Sequence, residues 1–504
     1  MRSAADLDPP AAGRLGTAAL IGLAGVATAA ANVLQGRYAL LAALPIALGT
    51  GLYLVTRVPL RWSAGALVAV LLTVDVSTDA AGIWHTPFVG LGDLLRDNLD
   101  RIVPGLAVNG FEVAILLLLA VWGYRRATAS AVDDDGRVAT AGAARDLALL
   151  FLVGLAYAEA NGLARGTGPA AWKLRNNLHV LLFFLLGHVA FRGPRDHGLL
   201  ARIVLFAASV KALMAVWVQQ VVAPAATGGE LSYATSHGDS ALFTVALVIL
   251  LARPMERPDR RRLLDAAVLG PLLLLGVVEN GRRLAWVVLA TSFLAIYLLS
   301  PWRPWKRLIT RGVVILLPIA ALYVGVGWNR DSSFFGPIRL LRSVSGSSAD
   351  ASTRWRDIEN WNIAMSIREH PVLGAGLGAQ YTIYKHNADI SMFYPDYRGW
   401  PHNSVLGLLL LAGLVAFAAM WCFNAGIVYL AVRSYRLARD PEDRVAALAC
   451  IAAVIACMGL AYGDTGANLV QYRILLGLAM AVAAKLAVAT GAWPAKAGAG
   501  RTAR

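Results

Sequence analysis

Apolar runs of about 17–22 residues recur along the chain, each long enough to cross a hydrocarbon core of about 30 Å. Their approximate bounds are 15–34, 38–56, 62–78, 107–124, 146–162, 176–191, 203–222, 239–252, 264–279, 284–300, 311–328, 403–424, 446–462 and 470–488. The runs at 62–78 and 264–279 are the weakest. Lipid offers no partner to a free N–H or C=O, so each run is predicted to be a helix rather than an isolated strand. The expected fold class is therefore all-α: a polytopic membrane protein of about 12–14 transmembrane helices.

Three long connections interrupt this pattern. Residues 79–106 carry Asp93, Asp97 and Asp100 at helical spacing, interleaved with Arg96 and Arg101. Residues 125–145 contain Asp133, Asp134 and Asp135 among small residues and read as a linker. The longest connection, 329–402, divides the chain into N-terminal helices (1–328), a large loop, and C-terminal helices (403–490). A loop of that length without a packing role is usually functional. It is expected to be partly helical: after a Ser/Gly/Ala/Asp stretch at 343–353, Ile358, Trp361, Ile363, Ala364 and Ile367 fall mainly on one side of a helix over 355–369. His370-Pro371 ends that helix, and glycines at 374, 376 and 378 break regular structure. No internal repeat relates the two halves, which argues against a transporter built from repeats.

Composition changes what length implies. A soluble chain of 504 residues would hold several domains, but 58% hydrophobic residues place this one in the membrane class. The net charge of +15 would suggest nucleic acid in a soluble protein. Here the arginines cluster between apolar runs, at 57–61, 125–126, 192–195, 253–262, 303–311, 433–444 and the C-terminal tail, and are better read as topology signals. With the spans above, every cluster falls on one side. Both termini are then cytoplasmic and 329–402 faces outward, as expected of a multi-pass membrane protein. Ala29-Ala30-Ala31 could imitate a signal-peptidase site, but a retained first helix is expected. Cys422, Cys450 and Cys457 lie inside apolar spans and read as packing residues.

Several residues could carry chemistry. Arg282 and Arg283 stand at the outer end of a helix, where they either snorkel to headgroups, pair with Glu279, or clamp a diphosphate through planar guanidinium forks. His402-Asn403 closes the long loop, placing an imidazole at the water–membrane boundary where an acceptor arrives, or serving structure alone. Arg354, Arg356 and Arg368 form either a solvated helix face or part of the same site. Gly374, Gly376 and Gly378 offer backbone N–H groups to a phosphate, or simply a turn; no dinucleotide or Walker motif is completed. Asp93, Asp97 and Asp100 share a helix face that could hold Mg²⁺ or Mn²⁺, although an amphipathic interfacial helix explains them more simply. Lys211, Glu112 and Glu159 lie within apolar spans, where ionisable groups are paired or functional.

Together these features resemble the O-antigen ligase and polymerase family, most specifically over residues 280–416. His402-Asn403, nine residues and Gly413 are similar to the family's His-[Asn/Ser/Gln]-x9-Gly-x-x-[Gly/Thr/Tyr] signature, with Ala416 at its last position. Asn280-Gly281-Arg282-Arg283-Leu284-Ala285-Trp286 resembles its Ser-Arg-Gly-Ala-Trp helix start, with Arg282 for the serine and Leu284 for the glycine. His370-Pro371-Val372-Leu373-Gly374-Ala375-Gly376 looks like its His-Pro-Leu-x-Gly-x-Gly stretch. The resemblance implies a GT-C-like helical fold that moves a glycan from an undecaprenyl-diphosphate carrier to an acceptor outside the cytoplasm. It carries the catalytic roles to Arg283, Arg356 and His402, with Arg354 as the alternative register for Arg356. Arg282, Arg354 and Asn403 are expected to bind substrate beside them. The implied enzyme is an inverting glycosyltransferase with no metal and no cofactor. Its partners are the lipid-linked glycan, an acceptor such as lipid A core or another surface glycan, and membrane lipid, with no nucleic acid. The alternatives within reach are a polymerase of the same family, a lipid-linked glycan flippase or exporter, and a metal-dependent transferase using Asp93 and Asp97.

Overall fold

A computed structural model describes residues 58–494, except 77–88, 100–107, 128–136, 168–169, 228, 230, 232, 303, 331–334, 336–337, 339–350, 393 and 395. The expected spans 15–34 and 38–56, the acidic run 133–135, Asp100, Arg101 and most of 343–353 lie outside the described residues. Every later span coincides with a helix. These are α1 (Leu60–Thr73), α3 (Gly110–Ala127), α4 (Gly142–Ala164), α5 (Ala170–Ala190), α6 (His197–Trp217), α7 (His237–Glu256), α8 (Arg260–Glu279), α9 (Arg283–Leu299), α10 (Pro304–Gly327), α12 (Ser404–Leu437), α13 (Pro441–Gly463) and α14 (Val470–Ala489). Two further helices sit in the connections: α2 (Val89–Arg96) and α11 (Ala351–Glu369). Among the described residues the one β feature is an isolated bridge between Asn98 and Asn109. The protein is an all-α polytopic membrane protein. Seven of the described helices are long and apolar enough to cross a membrane, and α1 and α9 are shorter apolar helices.

Burial follows the residue pattern. Ala241 to Leu250 are buried on every side of α7, and a helix apolar all round belongs at the centre of a bundle. Around it stand α13 and α14, rich in alanine, whose small side chains let backbones approach closely. Gly477 of α14 illustrates this: an added Cβ would lie 2.5 Å from the Val180 carbonyl oxygen of α5. By contrast α10 buries only Lys306 and Gly327 at its two ends, and most of its apolar surface is exposed.

The chain runs up and down, so the bundle has two ends. One end receives Arg125, Arg192, Arg253, Arg262, Lys306 and Arg444. The other receives the long loop, the α8–α9 turn, the α13–α14 turn and the segment before α7. These last four segments meet.

Candidate functional site

The α8–α9 turn depends on two residues. Gly281 adopts φ +65°, open to glycine without strain. Asn280 is fully buried; its Oδ1 accepts from Thr235 Oγ1 at 3.0 Å and its Nδ2 donates to Ser240 Oγ at 3.1 Å. Arg282 is thereby held as the N-cap of α9. Its guanidinium lies 3.5 Å over the Tyr233 ring and donates to the Thr235 carbonyl at 3.4 Å, while its Nε is buried without a partner. Burial pulls this guanidinium down to about 10 against the opposing pull of Asp464, so it stays charged at neutral pH. Arg283 follows as the first residue of α9, half-buried. Both arginines add to the positive end of the helix dipole, where an anion is favoured.

Asp464, the residue after α13, is the hub. Its Oδ2 is 2.6 Å from His237 Nε2 and 4.0 Å from Arg356 Nη2, and its Oδ1 accepts from the Thr465 N–H at 2.7 Å. Burial alone would raise this carboxyl; His237, Arg356 and the Thr465 amide together hold it well below the usual carboxylate range. Arg356 also donates to the Gly463 carbonyl at 2.9 Å. Asp464 thus pairs with His237 and Arg356, and its charge also reaches Arg282.

On α11, Glu359 lies three residues beyond Arg356 and shares its face. Its carboxylate is buried, accepts the His402 N–H at 3.2 Å and stands 3.2 Å from His402 Nδ1. Trp355 and Tyr394 meet the imidazole edge-on, with ring centroids at 5.1 and 5.9 Å. A carboxylate at Nδ1 fixes the tautomer and leaves Nε2 as the acceptor nitrogen. Burial and nearby carboxylates push the Tyr394 phenol up, so it remains a donor. Asn403 caps α12, its Oδ1 accepting from the Leu406 N–H at 3.1 Å, and its Nδ2 is buried without a partner. Ser404 ties α12 to the hub by donating through Oγ to the Asp464 carbonyl at 3.1 Å.

Of the residues singled out from sequence, Arg356 therefore pairs with Asp464, within electrostatic reach of Arg282, and His402 stands on the adjoining Glu359. Arg354 is exposed on α11. The buried stripe of α11 is Glu359, Asn362, Ile363 and Ser366, whereas Trp361, expected on the apolar side, is 45% exposed. Glu359, Asp464 and His237 escaped the motifs. Their signals were slight: a glutamate three residues after Arg356, an acid in the short turn between the last two apolar runs, and a histidine opening one.

The glycines act in packing. Gly374, Gly376, Gly378 and Gly413 all have positive φ, and Gly413 breaks α12. A Cβ on Gly374 would lie 2.3 Å from the Gly413 nitrogen, and one on Gly376 2.5 Å from Gly162 of α4. The N–H groups of Ala375, Gly376 and Leu377 donate to Leu410, Leu411 and Ala158 carbonyls at 2.8, 2.9 and 2.9 Å. Committed to this joint, they are not a phosphate cradle.

Two buried ionic chains brace the hub. Lys211 pairs with Asp75 and stands 3.5 Å from Asp239, whose carboxylate holds the Ser236 N–H and Oγ at the start of α7, one residue before His237. Glu112 pairs with Arg175 and lies 2.6 Å from His179; His179 Nδ1 is 3.0 Å from Arg473, which donates to the Ala467 and Asn468 carbonyls of the Asp464 turn. Glu159 Oε2 is buried without a partner.

Residues 266–421 match the O-antigen ligase family. No curated protein matches the chain. The matched segment contains Arg282, Arg283, Arg356, Glu359, His402 and Gly413, while His237 and Asp464 lie outside it, on its two flanks in sequence. The match supports an O-antigen ligase or polymerase type of activity: a membrane glycosyltransferase-like enzyme acting on lipid-linked glycans.

Proposed function

We propose that the protein transfers a glycan from undecaprenyl diphosphate to an acceptor hydroxyl at the outer face of the bacterial inner membrane. The observation that carries this reading is Arg356 paired with Asp464, within electrostatic reach of Arg282, beside a carboxylate-held histidine. His402 Nε2 takes the proton of the acceptor hydroxyl. The oxygen attacks the anomeric carbon as the bond to the diphosphate breaks, and the configuration inverts in this single displacement. Charge that grows on the leaving diphosphate is met by Arg282 and Arg356, with Arg283 at the helix start, by fixed guanidinium charge in the role a metal plays elsewhere. Arg354 and Asn403 border the substrate. The basic clusters at the opposite end support a cytoplasmic location for that end and for both termini. A ligase uses lipid A core or another surface glycan as acceptor, a polymerase a second lipid-linked repeat.

Purified protein in liposomes carrying a lipid-diphosphate glycan is the test. Substituting Arg282, Arg283, Arg356 or His402 by alanine is expected to cut transfer by roughly 10²–10³-fold, with the chelator EDTA leaving wild-type transfer unchanged. Alanine variants that transfer at the wild-type rate would remove the assignment, and loss in EDTA restored by Mn²⁺ would favour a metal-dependent transferase.

A further inference from the structure

A narrow apolar cleft with about 90 Å³ of free volume, partly open at the surface, lies among α1, α6, α7, α13 and α14. Leu72, Val245, Ala453, Ile474 and Leu478 are among its walls. Along α13 it runs from Glu442 at the basic end to Ala453, about 16 Å at about 1.5 Å per residue. Two polar side chains line it, Glu442 at its end and His197. His197, the first residue of α6, is 4% exposed and lines the cavity. Its Nδ1 stands 3.2 Å from Asp443 Oδ1, at an angle too oblique for a hydrogen bond, and its Nε2 has no partner. Buried polar atoms without partners are rare in folded proteins. Asp443 draws the imidazole proton toward Nδ1, leaving the Nε2 lone pair for a donor.

We propose that this cavity binds the aliphatic chain of a lipid whose head donates a hydrogen bond to His197 Nε2 through a hydroxyl or ammonium. The wall fits the chain, and the imidazole selects the head. An anionic head is disfavoured, because Asp443 stands beside His197, while Lys485, which shares a neighbouring cleft with His197, is committed to the His188 and Phe191 carbonyls. Glu442 is occupied by Arg262 at 2.7 Å. The site lies away from the Asp464 hub and does not depend on the transfer reaction.

The test uses delipidated full-length protein equilibrated with monolaurin or laurate, which share a chain and differ in head, with bound probe counted by native mass spectrometry. Monolaurin is expected to bind about tenfold tighter than laurate, one molecule per chain. Ala453→Phe fills the cavity and is expected to abolish monolaurin binding, and Ile474→Phe does the same from α14 should the first variant misfold. His197→Leu is expected to keep the chain site and lose the preference for monolaurin. Equal binding of both probes to wild type, no retained probe, or full monolaurin binding by the filled variants would overturn the proposal.

Discussion

A histidine accepts a proton from an alcohol only when its other nitrogen is held, and Glu359 holds His402 Nδ1 at 3.2 Å. Replacing Glu359 by glutamine keeps the shape but removes the charge that orients the imidazole. The expected result is a fall in kcat of roughly 10²–10⁴-fold with KM little changed, and partial recovery in Glu359→Asp, measured by steady-state transfer assays. An equal loss of kcat in Glu359→Asp and Glu359→Gln would contradict an orienting role. Asp464 makes a pH-dependent contribution of definite sign. Its folded pKa is depressed, so its stabilisation is complete above the unfolded value of about 4 and disappears as pH falls toward the folded value. The gap in thermal midpoint between wild type and Asp464→Asn is therefore expected to shrink as pH falls below about 4. Sequence made Arg356 and His402 visible because each stands beside a recognisable motif. It left Asp464 and His237 hidden because no local periodicity marks an acid whose partners come from other helices.

Individual helices were legible from hydropathy because lipid imposes both their length and their internal hydrogen bonding. Their joints were less so. Gly413, separated by nine residues from His402-Asn403, and the glycines after His370-Pro371 are two halves of one contact, since Gly374 and Gly413 approach too closely for either to carry a Cβ. Gly413→Ala is expected to destabilise by about 1–3 kcal/mol from backbone strain alone, before any clash, and to lower the thermal midpoint in detergent. An unchanged midpoint would mean that the joint yields. The brace on α7 gives a second expectation at this scale. Lys211 is fully buried with two carboxylates, so Lys211→Met should cost about 3–5 kcal/mol, and adding Asp239→Asn should recover part of that loss. Sequence placed Lys211 and Glu112 inside apolar spans but could not name partners as distant in sequence as Asp75 and Arg175.

At the scale of the whole molecule, the charge distribution separates two ends with different chemistry. One carries arginines spread through short turns, many paired locally as Arg262 is with Glu442 and Arg444 with Glu256. The other concentrates Arg282, Arg356, His402 and Asp464 where four chain segments meet. A site made this way belongs to no single loop: the long connection supplies Arg356, Glu359 and His402, the α8–α9 turn supplies Arg282, and α7 and α13 close it with His237 and Asp464. The most direct measurement follows undecaprenyl diphosphate release and acceptor glycosylation together, in liposomes containing purified wild-type or His402→Ala protein. The expected result is one carrier released per glycan joined for wild type, and neither product above background for His402→Ala. Wild-type levels of both products in the His402→Ala protein, or carrier release by wild type with no glycan joined to an acceptor, would contradict it.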